Sequence, residues 1–185
     1  MSAIINAIKD RYSCRNFSAE PLNDIEIKAL TECALASPSA LNRMPWHIVV
    51  VTNKTLIEDL DKEAMKVMET WEDKTILERM KERGGSVFYN APCLIYILSD
   101  GTEYATLDCG IVSQNIALAA HGLGLGSVIC GMANIPLTGG RKDEFIKHLQ
   151  FPQNFTFGMA VCVGKALSGK EPHELDNTKV TYITG

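Results

Sequence analysis

Ala36-Ser37-Pro38-Ser39-Ala40-Leu41-Asn42-Arg43-Met44-Pro45-Trp46 is the stretch from which the fold of this chain is read most directly. Its two prolines stand seven residues apart. Each lacks a backbone donor and restrains the residue before it, so no regular helix runs through both. An apolar helical pattern (Ile27, Leu30, Ala34) ends just before the stretch, and the apolar run Ile48 to Val51 follows it. The stretch is therefore a helix-to-strand loop. Ser37, Ser39, Asn42 and Arg43 make it rich in hydrogen-bonding groups, and Trp46 closes it. An ordinary connection with Trp46 plugging the core would look the same; a ligand-binding loop is the other reading.

Upstream, Asn23 with Glu26 three residues later reads as a capping box opening the helix that carries Ile27, Leu30 and Ala34. Before it, Ile4, Ile5 and Ile8 share one face of a short helix that Ser2 can cap. That helix gives way to Arg11-Tyr12-Ser13-Cys14-Arg15-Asn16-Phe17. In an extended segment Arg11, Ser13 and Arg15 point to one side. Two guanidiniums and a hydroxyl on one side make a receptor for a phosphate or a carboxylate. A solvated charged turn, paired with Asp10 or Glu20, is the competing reading.

Downstream, the continuous run Ile48 to Val51 predicts a central strand covered on both faces. Asn53 or Thr55 starts a helix through Val67 and Met68; the charged region Glu69 to Arg83 then reads as a lid or a plain surface helix, broken at Gly84-Gly85. Cys93 to Leu98 is a second buried strand. Glu103 to Leu123 holds the longest helical pattern, with Leu107, Ile111, Gln114 and Leu118 on one stripe and Gly110, Ala117, Ala119 and Ala120 beside it. So many small residues let another helix approach closely, in the core or across a subunit contact. Gly122, Gly124 and Gly126 follow a helix with the wrong spacing for a dinucleotide fingerprint, so they mark a helix stop before a short strand, Ser127 to Cys130. A loop with Gly131 and Pro136, a helix from Lys142 to Leu149 and a strand from Phe157 to Gly164 come next. The chain closes on a terminal strand, Lys179 to Ile183, with no sequence-adjacent partner. This order is that of one mixed helix-and-strand domain over residues 1–185.

Composition bounds the function. With 46% apolar and 22% charged residues among 185, the chain is of globular type and long enough to bury about 70% of its unfolded surface. A net charge of −4 argues against nucleic acid as a partner. Six cysteines without a C-x-x-C pair read as reduced thiols of a cytoplasmic protein rather than a disulfide or metal framework. The amphipathic N-terminus is too short in apolar run for a signal peptide. The apolar segment Gly110 to Ala133 is interrupted by Gln114, Asn115 and His121, and reads as a buried helix and strand rather than a membrane span. There is no Ser-His-Asp or Cys-His motif.

Three groups of residues together resemble the FMN-dependent nitroreductase family: Arg11-x-Ser13-x-Arg15-x-Phe17; Ala36-x-Pro38-Ser39-x-x-Asn42-x-x-Pro45-Trp46; and Asp108-x-Gly110 through Asn115-x-x-Leu118-Ala119-Ala120-x-Gly122-Leu123-Gly124. The resemblance spans nearly the whole chain in order. It implies an α+β fold, a central and mostly antiparallel sheet flanked by helices, in a homodimer whose C-terminal strand is exchanged onto the partner. It implies FMN at the subunit interface and NADH or NADPH as reductant. The acceptor would be a small flat electrophile, a nitroaromatic or a quinone, reduced in turn by a ping-pong mechanism. By resemblance Arg11, Tyr12, Ser13 and Arg15 contact the FMN phosphate, ribityl chain and pyrimidine edge. Pro38, Ser39, Ala40 and Asn42 meet the same FMN from the other subunit. Ile129, Cys130, Gly131 and Met132 run their backbone beside the ring. Two departures stand out. Met44 replaces the usual Gln before Pro-Trp, and the late basic pair at the phosphate is reduced to Lys170 and His173. A flavin-binding sensor or store without turnover, and a member specialised in dehalogenation or flavin degradation, are the rival readings.

Overall fold

The computed structural model describes residues 2–171 and 174–185. Among the described residues six α-helices, α1 (Ala3–Asp10), α2 (Asp24–Leu35), α3 (Lys54–Glu69), α4 (Thr75–Glu82), α5 (Ala105–Gly122) and α6 (Lys142–His148), accompany four strands. These are β1 (Trp46–Val51), β2 (Cys93–Ser99), β3 (Gly126–Ile129) and β4 (Thr156–Gly164), joined side by side in the order β1-β2-β4-β3, every pair antiparallel. Among the described residues no helix is long and apolar enough to cross a membrane.

The sheet divides two cores, and the period of two along a strand decides which side chain enters which. From β2, Leu94, Tyr96 and Leu98 join Leu60, Ala64 and Met68 of α3, Met80 of α4 and Phe145 of α6. From the same strand Cys93, Ile95 and Ile97 join Leu30 and Ala34 of α2 and Val112, Ile116 and Ala120 of α5. β4 alternates likewise, sending Ala160 and Cys162 to the first core and Val161 and Val163 to the second. All seven residues of β2 are buried; each large aliphatic one contributes about 1.5–3 kcal/mol by leaving water. At α2 the capping box forms, Asn23 Oδ1 accepting from Glu26 N at 2.9 Å and Glu26 Oε2 from Asn23 N at 2.8 Å.

Three expectations change. First, β1 is an edge strand rather than a central one: within the protomer its only neighbour among the described residues is β2, and Ile48 to Val50 are half-buried. An apolar run shows that both faces are covered, but it carries no information on whether both edges are paired. Second, the stripe of α5 picked from the sequence faces outward, with Leu107 66% exposed, while Cys109, Val112, Ile116 and Ala120 pack into the core beneath the sheet. A helix apolar on nearly every side offers no contrast from which to choose its buried face. Third, Gly131–Leu137 forms 3-10 helix instead of a loop. The region 69–83 settles as α4, packed through Leu77 and Met80. Val180 to Ile183 form no strand within the protomer; Val180 is extended (φ −119°, ψ 128°), and Tyr182 and Ile183 are 83% and 97% exposed. Ile4, Ile5 and Ile8 of α1 are likewise exposed, beside a groove lined by Leu118 and Ala119 of α5.

Candidate functional site

α1 stops at Arg11, whose backbone turns extended (φ −60°, ψ 133°) and carries the chain along β3. Ser13 bridges Ser127 in parallel sense, and Cys14 N donates to Ser127 O at 2.9 Å. This approach is possible because residue 126 is glycine: a Cβ there would stand 2.9 Å from both Cβ and Sγ of Cys14. Cys14 is thereby buried, and the alternation read from the sequence leaves Ser13 and Arg15 pointing the other way. Arg15 lies over the Tyr89 ring at 5.9 Å, and its Nη1 donates to Ser13 O at 3.4 Å. Arg11 Nε is buried and has no hydrogen-bond partner among the described residues. An unsatisfied buried donor costs about 1–3 kcal/mol, more when charged.

Tyr12 Oη donates to Ser168 O at 3.0 Å, which draws the segment after β4 against this one. Lys170 therefore lines the same cleft of about 610 Å³ as Ser13, Arg15, Arg83 and Tyr89. His173 falls outside the described residues. Arg83 and Tyr89 were not singled out in the sequence. They arrive from the α4–β2 connection, where Tyr89 and Asn90 take left-handed backbone angles (φ 56° and 58°). Nothing in the pattern around Gly84-Gly85 marks them, since a long-range approach leaves no local signature.

At the far end of β3, Ile129 is partly exposed, whereas Cys130 turns its thiol into the core and donates to Val87 O at 3.5 Å. The thiol of Cys130 is held below its ordinary pKa by Cys162, against the effect of burial and aided by the N–H groups of Ala133 and Met132. Cys162, fully enclosed, is pushed well up by the same contact and by burial. Cys130 can thus face a ligand only through its backbone. The N–H of Met132 is turned toward Cys130, and Gly131, first in its helix, has no acceptor for its own N–H within it. A Cβ on Gly131 would have nothing within 4 Å, so packing inside the protomer does not require glycine there.

The loop quoted at the outset lies elsewhere, on α5. Ala40 N donates to Asp108 of α5, and Asn115 of α5 donates to Ser37 Oγ at 2.9 Å. Leu41, Asn42 and Met44 hold positive φ (54°, 53° and 49°), and Ser39 Oγ accepts from Met44 N at 2.8 Å to close the turn. Trp46 is a core plug, buried among the residues that face α2 and α5. Among the described residues no hydrogen bond or ion pair joins Pro38, Ser39, Ala40 or Asn42 to the Arg11–Arg15 segment.

A four-stranded antiparallel sheet between helical layers, with a cationic cleft beside β3 and a strained polar loop on α5, has the nitroreductase fold. The Nitroreductase family model matches residues 8–165, and the chain belongs to that family. A nitroreductase with bound FMN from Desulfitobacterium hafniense superposes with a TM-score of 0.96 at 40% identity, covering 100% of both chains. An FMN-dependent nitroreductase from Clostridium difficile gives 0.82 at 26% identity, over 98% of this chain and 99% of the other. A relative from Methanothermobacter thermautotrophicus, provisionally named NADH dehydrogenase/NAD(P)H nitroreductase, is 31% identical over 70% of this chain; the match spans 61% of that protein's own length.

Proposed function

We propose that this chain is an FMN-dependent NAD(P)H oxidoreductase, active as a homodimer, with Arg11, Ser13, Arg15 and Lys170 at the phosphate and ring edge of the flavin. The observation that carries the reading is the buried, unpartnered Arg11 Nε, next in sequence to Tyr12, Ser13 and Arg15, which line a cleft shared with Arg83 and Lys170. A dianionic phosphate supplies the acceptor that this donor lacks, and a charge-assisted contact of this kind is stronger than a neutral one. The FMN-bound protein of 40% identity supports the same ligand. FMN supplies the chemistry when bound, taking a hydride from NADH or NADPH and passing it to a small electrophile in a ping-pong cycle.

The residues of this chain bind and orient. Arg11 and Lys170 hold negative charge; Arg15, braced on Tyr89, presents its guanidinium to an electron-rich ring edge. Gly131 offers a backbone N–H and no side chain, so a flat ring can lie against it. Pro38, Ser39, Ala40 and Asn42 are not among the residues lining this cleft, and in our reading they act on the flavin of the second copy. The terminal residues 180–183 lie along the open edge of β1 in that copy.

Denaturing the purified protein should release one FMN per chain, and NADH or NADPH should bleach the bound flavin until a quinone restores its colour. A protein that releases no flavin and takes up none overturns the proposal. One that binds FMN but is not reduced is a flavin store rather than an enzyme.

Gly131→Val separates fold from reaction. Its Cβ meets open space, so the unfolding free energy of the apo protein, from urea titration, should stay within the change expected of a surface substitution, about 0.5 kcal/mol. The flavin reduction rate should fall at least tenfold, because the branched side chain occupies the approach to the ring. Unchanged reduction in a stopped-flow trace would place the ring against a different segment.

A further inference from the structure

The loop on α5 is tied down at two points whose spacing matches its length. Asn115 Nδ2 donates to Ser37 Oγ at 2.9 Å, and Ala40 N donates to the Asp108 carboxylate, 3.3 Å from Oδ1 and 3.4 Å from Oδ2. Asp108 and Asn115 are seven residues apart, which puts them on one face of α5, about 10.5 Å apart along the axis. From Ser37 to Ala40 the chain advances three residues and can reach at most about 11 Å. The segment runs antiparallel to the helix, with Ser39 extended (φ −143°, ψ 159°) and Pro38 fixing its own φ. Immediately beyond the second tie come the left-handed backbones of Leu41, Asn42 and Met44. Such angles persist in residues with side chains only where the surroundings impose them. Asp108 itself is 4% exposed, a buried carboxylate whose hydrogen-bond partner from the loop is the Ala40 N–H.

We propose that Asp108 and Asn115 are positioning residues for the flavin: they clamp the Ser37–Ala40 segment at both ends, so that Pro38, Ser39 and Asn42 are held ready for the FMN of the second copy. This rests on the flavin reading given above. The clamp acts through the loop and touches no reacting atom. Its effect is on the affinity and release rate of the flavin, and the stability of the fold is a separate quantity.

The test is a mutant cycle on the FMN dissociation constant, read by flavin fluorescence on dilution of the holoprotein, with urea unfolding of each apo variant alongside. Asp108→Ala should weaken FMN tenfold or more. Asp108→Asn, which keeps a carbonyl oxygen for the Ala40 N–H, should restore most of that loss. Ala40→Pro removes the donor while adding a small ring, at the first position of a helical turn after an extended residue, where proline is tolerated. It should match Asp108→Ala, and the double variant should be no worse than either single one. Losses that multiply in the double variant, or an Asp108→Asn protein as weak as Asp108→Ala, overturn the clamp. If Asp108→Ala does not fold, Ala40→Pro decides alone: FMN bound as tightly as in wild type overturns the clamp and leaves the flavin reading intact. A wild-type protein that binds no FMN overturns both.

Discussion

Arg11→Ala should lose FMN affinity by roughly tenfold to a hundredfold, the equivalent of one charge-assisted contact at about 1.5–3 kcal/mol. The apo protein should show no matching loss of stability. In the protomer Arg11 Nε is buried without a partner, so removing the side chain removes an unsatisfied donor rather than a hydrogen bond. Thermal unfolding separates the two effects: the apo midpoint should hold or rise, and the extra stability conferred by added FMN should shrink, since ligand stabilisation follows the dissociation constant. Arg11→Lys should recover only part of the affinity, because lysine keeps the charge but carries a methylene where arginine has the Nε–H donor. Lys142→Ala, an exposed charge on α6, is the control and should bind FMN as wild type does. An Arg11→Ala protein that keeps full affinity would mean that the buried donor serves something other than the flavin.

Deleting residues 177–185 should yield protein that is either insoluble or free of FMN. The tail leaves Val180, Tyr182 and Ile183 exposed in the protomer, while β1 presents an unpaired edge and α1 with the outer stripe of α5 presents uncovered isoleucines and leucines. An unprotected edge strand invites uncontrolled pairing, which native proteins prevent by covering it. In the homodimer proposed above, cover supplied by a second copy would satisfy the edge and the tail together. Sedimentation of the truncated protein, with its absorbance spectrum, tests the arrangement. A soluble monomer that keeps stoichiometric flavin would refute it.

What could be read in advance follows how local each signal is. The capping box of Asn23 and Glu26, the helix stop at Gly124 and the buried run of β2 are set by residues within a few positions of one another, and all three stand in the structure. The Arg11–Arg15 alternation was legible for the same reason. Its partner was not, because the glycine that admits Cys14 lies more than a hundred residues away at position 126. Arg83 and Tyr89 reach the cleft only through tertiary folding, and their own neighbourhood is uninformative. The edge position of β1 was hidden because face burial says nothing of edge pairing, and the outward stripe of α5 because the helix is apolar on nearly every side.

The placement of β2 between β1 and β4, with no side chain reaching water, also sets how the molecule opens in time. Its amides are shielded on both edges and both faces, so no local fluctuation can expose them to solvent deuterium; they exchange only when the whole domain unfolds. The slowest protons of the protein therefore belong to 93–99, and their rate measures global stability directly. The terminal residues 180–183, exposed in the protomer, exchange at the opposite limit. Binding that orders them will appear as new protection at the periphery while the centre keeps its own pace.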